Sequence, residues 1–411
     1  MLVEVIFLAT FFLVVLWFST YFMLMLYFSR KPSKINKKEM IFPTVSIVIP
    51  AFNEEKVILK KLQSIIEIDY PRDKIEALVV DDGSTDNTRK IVEEFITSNN
   101  ANLKFSLLPR RERGGKANAL NDAFKLCNGE IVVISDADVF FKRDAIINML
   151  ANFNDSTVGA VSGIEVMVNP NDSSATEMEQ GYRSFYNTLR LGETNFDSVM
   201  MCESGFSAYR RQLLDALPER CVCDDMELTL MIKNKGLRAV YDPKVEFHEY
   251  SPVTFVSEIK QKIRRGQGNQ RTLLRFAKLM VKNVKSRFAH IILPSEFFMH
   301  LIAPILIPIS ILFFLLSLMG PNSLLVFLIS AITLVSDFSM IYLGLKLASP
   351  ATDITLQYSS RARSKSKRPF EPLVMIADFL MLQLCLLIGL ISLLLGRSMH
   401  KWQKIEETRR F

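Results

Sequence analysis

Apolar residues crowd the two ends of the chain and thin out between them. Positions 5–28 form a nearly continuous apolar run, with Ser19 and Thr20 among its small polar interruptions. As a helix this run extends roughly 35 Å, enough to cross the hydrocarbon core of a bilayer. It has no basic n-region, no small-residue cleavage site follows, and it is too long for the apolar stretch of a signal peptide. An uncleaved anchor with its N-terminus outside is therefore expected. At the other end, runs at 298–319 and 323–345 flank Gly320-Pro321-Asn322 as a hairpin, and a third run covers 372–395. Pro304 and Pro308 predict a kink in the first of these. Between 263 and 290, Arg and Lys are mixed with Leu, Phe, Met and Val, the pattern of a helix lying in the membrane interface.

The middle of the chain alternates in a different way. Positions 45–50 (VSIVIP) are β-branched with no polar face, as a strand covered on both sides requires. A helical pattern follows at 54–66, a strand at 75–80, a helix–strand unit at 86–108 and a further strand at 131–134. This βα alternation predicts an α/β fold, a doubly wound, mostly parallel sheet whose ligands bind at the carboxyl ends of the strands. The expected organisation is an anchor at 1–29, a cytosolic domain at 43–262, interfacial helices at 263–297, about three spans within 298–396 and a basic tail at 397–411.

The chain has 411 residues and a net charge of +7, but the position of the charge matters more than its sum. Arg30, Lys31, Lys34, Lys37 and Lys38 follow the first run; Arg361, Arg363, Lys365, Lys367 and Arg368 precede the last. Such flanks place the middle domain in the cytosol and make the protein an integral protein of the cell membrane, with the lipid bilayer as a partner. No basic–aromatic platform accompanies them, so nucleic acid is not an expected partner. Four spans from an outside N-terminus leave the C-terminus outside, whereas Arg397, Lys401, Lys404, Arg409 and Arg410 favour the cytosol. The sequence supports both. Asp337, Asp378 and Gln383 fall at or near membrane depth, where they either line an acceptor passage or pair within the bundle. The five cysteines form no CxxC pair and no disulfide framework, which suits a reducing compartment.

Acidic motifs sit at the predicted strand ends. The second strand ends in Val80-Asp81-Asp82-Gly83-Ser84, suited either to binding a base or ribose or to capping the next helix. The fourth ends in Ser135-Asp136-Ala137-Asp138. Residues i and i+2 of an extended chain point the same way, so Asp136 and Asp138 can share one hard cation, magnesium or manganese. Arg113-Gly114-Gly115-Lys116 opens a helix whose N-terminus, with Lys116, favours an anion. Asp224-Asp225 opens another helix and reads either as a cap or as a proton acceptor crowded by its neighbour. Arg264 and Arg265 suit phosphate oxygens or a membrane surface. His248, beside Glu246 and Glu249, reads as structural.

In this order the motifs resemble the family 2 glycosyltransferases, and more narrowly the membrane-embedded branch with the cellulose, hyaluronan, chitin-oligosaccharide and poly-N-acetylglucosamine synthases. The resemblance runs over 43–275. Pro50-Ala51-Phe52-Asn53-Glu54 is similar to the family's opening loop, Asp81-Asp82 to its nucleotide-binding turn, Gly115-Lys116 to its Gly-Lys step and Asp136-Ala137-Asp138 to its metal-binding DxD. Glu203-Ser204-Gly205 falls where the family has an acceptor loop, Asp224-Asp225 where it has its catalytic acidic pair, and Gln261-x-x-Arg264 matches the start of its Gln-x-x-Arg-Trp motif. The resemblance implies a GT-A-like fold, a divalent metal, a UDP-sugar donor, a saccharide or lipid-linked saccharide acceptor, and inverting transfer with Asp225 as base and Asp224 beside it. Pro50, Asn53, Glu54, Asp81, Asp82, Lys116, Asp136, Gln261, Arg264 and Arg265 are the implied donor contacts; Glu203, Ser204 and Gly205 are the implied acceptor contacts. Arg265 replaces the tryptophan of polymerising members and points away from processive synthesis.

Overall fold

A computed structural model describes residues 2–37, 42–99, 103–282, 286–346, 372–397 and 408–409. The first strand, β1 (Val45–Ala51), shows why the catalytic domain folds as it does. Its residues alternate between two cores: Ile47 and Ile49 enter one cluster, Val48 the other. β2 (Ile75–Asp81) repeats this, with Ala77 and Val79 on one face and Leu78 and Val80 on the other. A strand buried on both faces needs helices on both: α2 (Ile58–Ile66) and α3 (Thr88–Ser98) pack on the Ile47 face, and the helix that begins at Lys116 packs on the Val48 face. β3 (Lys104–Pro109), α4 (Lys116–Leu126) and β4 (Ile131–Ser135) complete the parallel half. β1 pairs in parallel with both β2 and β4, and β2 with β3.

The rest of the sheet is mixed. After the short β5 (Phe140–Phe141) come α5 (Ala145–Leu150), β6 (Val158–Met167), α6 (Ser174–Phe196), β7 (Phe206–Arg210), α7 (Asp224–Asn234) and β8 (Arg238–Glu249). The eight strands are ordered β3-β2-β1-β4-β7-β6-β8-β5. β7 runs antiparallel between β4 and β6, while β6 and β8 pair in parallel. The expected α/β sheet is thus present, parallel at β1–β4, with β7 reversed beside β4 and the short β5 reversed against β8.

Helix α1 (Leu2–Ser29) docks on this domain through its C-terminal half. Tyr21, Phe22, Met25 and Leu26 join Leu189, Met226, Leu230 and Phe288 in a third buried cluster. The approach is close: a Cβ on Gly192 would lie 2.1 Å from the Met25 carbonyl oxygen. α8 (Phe255–Phe276) then crosses the boundary expected at 262/263 without a break. Its start is set by Thr254, whose hydroxyl accepts the Ser257 N–H at 3.4 Å.

Beyond α9 (Leu279–Lys282) and α10 (Leu293–Phe297) lie α11 (Ala303–Ser317), α12 (Ser323–Lys346) and α13 (Pro372–Leu394). π-helical turns at Phe288–Ile292 and Phe298–Ile302 precede Pro304, where the sequence predicts a kink. Among the described residues two helical stretches are long and apolar enough to cross a membrane, Leu2–Ser29 and Phe288–Ser317; the apolar parts of α12 and α13 are shorter. Asp337 pairs with Ser19 of α1, and Asp378 lies 3.1 Å from Lys262 of α8, so both acids pair within the bundle. The basic loop 361–368 and most of the tail lie outside the described residues.

Candidate active site

The carboxyl ends of β1, β2 and β4 open on one cleft, lined by Pro50, Ala51, Phe52, Asp82, Arg113, Gly115, Lys116 and the Asp136–Asp138 turn. The loops after β1 and β2 are tied together. Asn53 adopts a left-handed conformation, φ 57°, which Asn tolerates better than most residues. In that geometry its N–H donates to Ser84 Oγ at 2.9 Å, its Oδ1 accepts the Thr85 N–H at 2.8 Å, and the next N–H, of Glu54, donates to Thr88 Oγ1 at 2.7 Å. Asp81 Oδ1 accepts the Ser84 N–H at 3.1 Å. The guanidinium of Arg113 lies over the Phe52 ring, 3.9 Å from its centroid.

Asp82 shapes the next loop. Its carboxylate accepts the Gly114 N–H at 2.9 Å and the Gly115 N–H at 2.7 Å, and pairs with Arg110. Gly115 is extended at φ 89°, ψ 164°, a region open almost only to glycine, and from there α4 begins at Lys116. Gly115→Ala is expected to cost about 1–3 kcal/mol through that backbone alone, since a Cβ there meets nothing within 4 Å. A thermal melt of the variant checks this; an unchanged midpoint would remove the assignment.

The Asp136–Asp138 turn is held from three sides. The Asp136 N–H donates to the Gly205 carbonyl at 3.1 Å, joining β4 to the loop before β7. Lys116 Nζ lies 2.8 Å from Asp136 and 3.2 Å from Asp224, and donates to the Ser204 carbonyl at 3.3 Å. Burial opposes the charge of Lys116, but Asp136 and Asp224 outweigh it and raise its pKa. Beneath the turn, Lys61 is wholly buried and donates to Ser135 Oγ and the Val139 carbonyl, both at 2.6 Å, so one ammonium clips both ends of the dyad. Burial lowers the Lys61 pKa to about 7 against the pull of Asp136 and Asp138. From above, Arg409 pairs with Asp138 and forks onto Glu54, each contact to Glu54 being 2.6 Å.

Asp224 and Asp225 occupy the first turn of α7, whose N-cap is Cys223, so neither acid is the cap. Asp225 accepts the Met226 N–H at 2.7 Å. Burial, then the neighbouring charge of Asp224, pushes its carboxyl up to about 6, against the pull of Lys116 and Arg265. α8 packs on the start of α7, with Cys223 Sγ donating to the Arg265 carbonyl at 3.4 Å. Among the described residues no side-chain hydrogen bond ties Gln261, Arg264 or Arg265 to the cleft. Glu203 pairs with the buried Arg190, so of the acceptor-loop residues only Ser204 and Gly205, through their carbonyls, touch Lys116 and the dyad. His248 lies 3.1 Å from Glu246 on β8.

Asp136 and Asp138 are hard oxygen donors of the kind magnesium and manganese take, and in chemistry they fit such an ion. Among the described residues no group of three or more His, Cys, Asp or Glu could hold a metal. Three participants escaped the sequence reading. Lys61 occupies an inward position of the 58, 61, 62, 65 stripe of α2, which was a legible signal. Arg190 and Arg409 had none, because their partners are distant in sequence.

Comparison with known proteins agrees with this geometry. Residues 46–217 match the model of glycosyl transferase family 2, a span holding Asp82, Lys116, the dyad and the Glu203–Gly205 loop. A probable glycosyltransferase, YdaM, of Bacillus subtilis (strain 168) is 30% identical over 61% of this chain and 61% of its own length. The beta-monoglucosyldiacylglycerol synthase of Nostoc sp. is 28% identical over 59% of this chain and 52% of its own. The chain thus spans only about half to three-fifths of these relatives. A solved structure, the mannosyltransferase PcManGT of Pyrobaculum calidifontis in complex with GDP-Man and Mn2+, is 26% identical with a TM-score of 0.70, covering 96% of this chain and 100% of that one. The cleft at the strand ends, with its DxD turn, therefore belongs to a glycosyl transferase family 2 domain.

Proposed function

We propose that this chain is a membrane-bound inverting glycosyltransferase that moves a sugar from a nucleoside-diphosphate donor to a hydroxyl of a polysaccharide or lipid-linked saccharide. One observation carries the reading: a single ammonium, Lys116 Nζ, contacts both Asp136 of the dyad and Asp224 of the acidic pair. The candidate leaving-group site is thereby joined to the acidic pair that contains the candidate base, Asp225.

In this reading Lys116 and the N-terminus of α4 hold the anionic diphosphate. Asp225 takes the proton of the acceptor hydroxyl. The freed oxygen attacks the anomeric carbon as the bond to the diphosphate oxygen breaks, so configuration inverts and no covalent enzyme intermediate forms. A magnesium or manganese ion held by Asp136 and Asp138 would offset charge building on the diphosphate. The complex of the Pyrobaculum calidifontis mannosyltransferase with GDP-Man and Mn2+ supports both donor class and metal; the glucosyldiacylglycerol synthase likeness supports an acceptor presented at the membrane. Uridine is the base we propose, and guanosine is its competitor.

α1 and the Phe288–Ser317 helix are proposed membrane spans, with the catalytic domain in the cytosol. Arg409 reaches the cleft, so in this reading one further crossing after Phe288–Ser317, by α12 or α13, returns the chain to the cytosolic side. That favours the cytosolic tail over the outside one.

The test uses purified full-length protein in nanodiscs with Mn2+ and labelled UDP- and GDP-sugars, with products sized and partitioned between organic and aqueous phases. Label is expected to pass from a UDP-sugar to short or lipid-linked products. No transfer from any donor would sink the proposal, and high polymer would overturn single addition.

A further inference from the structure

Arg409 stands where the cleft has the greatest need of a cation. Its side chain is 3% exposed, and that of Glu54 beneath it 1%. Nε and Nη2 donate to the two Glu54 oxygens at 2.6 Å each, while Nη1 reaches Asp138 Oδ2 and Thr408 Oγ1. A carboxylate as buried as Glu54 is costly unless its charge is met, and the planar fork of an arginine meets both oxygens at once. The fork fixes the guanidinium, and its remaining nitrogen then falls on the second aspartate of the dyad. Lys116 engages the other, Asp136, at 2.8 Å. Both members of the candidate metal site are thus held by the chain's own cations.

A divalent ion binding Asp136 and Asp138 would have to share Asp138 with a guanidinium already in contact, and like charges at that range repel strongly. We propose that Arg409 is an autoinhibitory counter-ion. It occupies the cation place at Asp138, and metal binding requires it to leave. This rests on the reading of the dyad as a metal site. Its consequence is thermodynamic: only the fraction of molecules with Arg409 displaced is competent, and apparent metal affinity is reduced by that fraction. A donor diphosphate, which brings both metal ligands and negative charge for the displaced arginine, would relieve the block. Metal and donor would then load together rather than in turn.

The experiment titrates full-length protein in detergent with Mn2+ alone, following the free-ion EPR signal, without any sugar donor. Arg409→Gln, neutral and of similar reach, is expected to lower the Mn2+ Kd by about 10-fold or more, the factor gained when a competent fraction of about a tenth or less becomes the whole. Arg409→Lys keeps the charge but loses the fork, so its Kd should fall between the two, and it serves alone if the Gln variant does not fold. Asp138→Asn should bind Mn2+ weakly whatever stands at 409. Equal affinity of wild type and Arg409→Gln, with binding lost in Asp138→Asn, would overturn the counter-ion and leave the metal site standing. Weaker binding in Arg409→Gln would overturn it too, making Arg409 a support of the site. Asp138→Asn binding like wild type would remove the metal site and the inference with it.

Discussion

Asp225→Asn is expected to lower kcat about 10²- to 10⁴-fold, the usual contribution of a positioned general base, without loss of the fold. The substitution is close to isosteric, and the Met226 N–H that Asp225 Oδ1 accepts at 2.7 Å can be accepted as well by the amide oxygen. What disappears is the ability to take a proton. The pH profile makes the test specific. Burial and Asp224 raise the Asp225 carboxyl to about 6. The acid is the inactive form, so wild-type kcat/KM should fall tenfold per pH unit below about 6 and level off above it. Residual activity of Asp225→Asn should be flat across that range. Asp224→Asn removes the second contribution to the raised pKa and should move the wild-type limb to lower pH. An Asn variant that keeps its activity, with the acid limb intact, would mean a base elsewhere. It would equally suit an acceptor that attacks through a phosphate oxygen, as a polyprenyl-phosphate sugar synthase requires, since that oxygen has little need of a base.

The parallel half of the sheet was legible because its information is local. VSIVIP is apolar on both faces, and the chain returns a helix and another such strand each time, so β1, β2 and β4 fall where the pattern puts them. Errors arise where a distant partner intervenes. The helix expected from residue 54 starts at Ile58, because Asn53 turns left-handed and the Glu54 N–H is taken by Thr88 across the cleft. The catalytic domain was expected to end at 262, in the middle of α8, because the basic–apolar mixture was read from 263 while the Thr254 cap was not. The direction of β7, reversed against its neighbours, is fixed by its pairing with β4 and β6 and carries no local mark. The same division holds in the site. Asp136 and Asp138 announce themselves by spacing at a strand end; Arg409, 271 residues from Asp138, was legible only as a charge in a basic tail.

Asp138→Ala is expected to abolish measurable turnover, a loss on the order of 10³-fold or more, because a metal offsetting leaving-group charge contributes several kcal/mol to the transition state. The fold should survive. Asp138 follows β4 rather than lying within it, and the turn stays clipped by Lys61 through Ser135 and Val139. Arg409 keeps both contacts to Glu54, so no buried charge is left bare. The loss should therefore appear in metal-dependent donor binding and in rate, with an unchanged melting midpoint. The pairing with Arg409 sharpens the test. In the double variant Asp138→Ala, Arg409→Gln the counter-ion is gone as well, yet Mn2+ binding should stay weak, because one carboxylate remains where two are needed. Recovery of activity in that double variant would show that Asp138 matters only as the anchor of Arg409. Activity of the single variant equal to wild type would take the dyad out of the mechanism altogether.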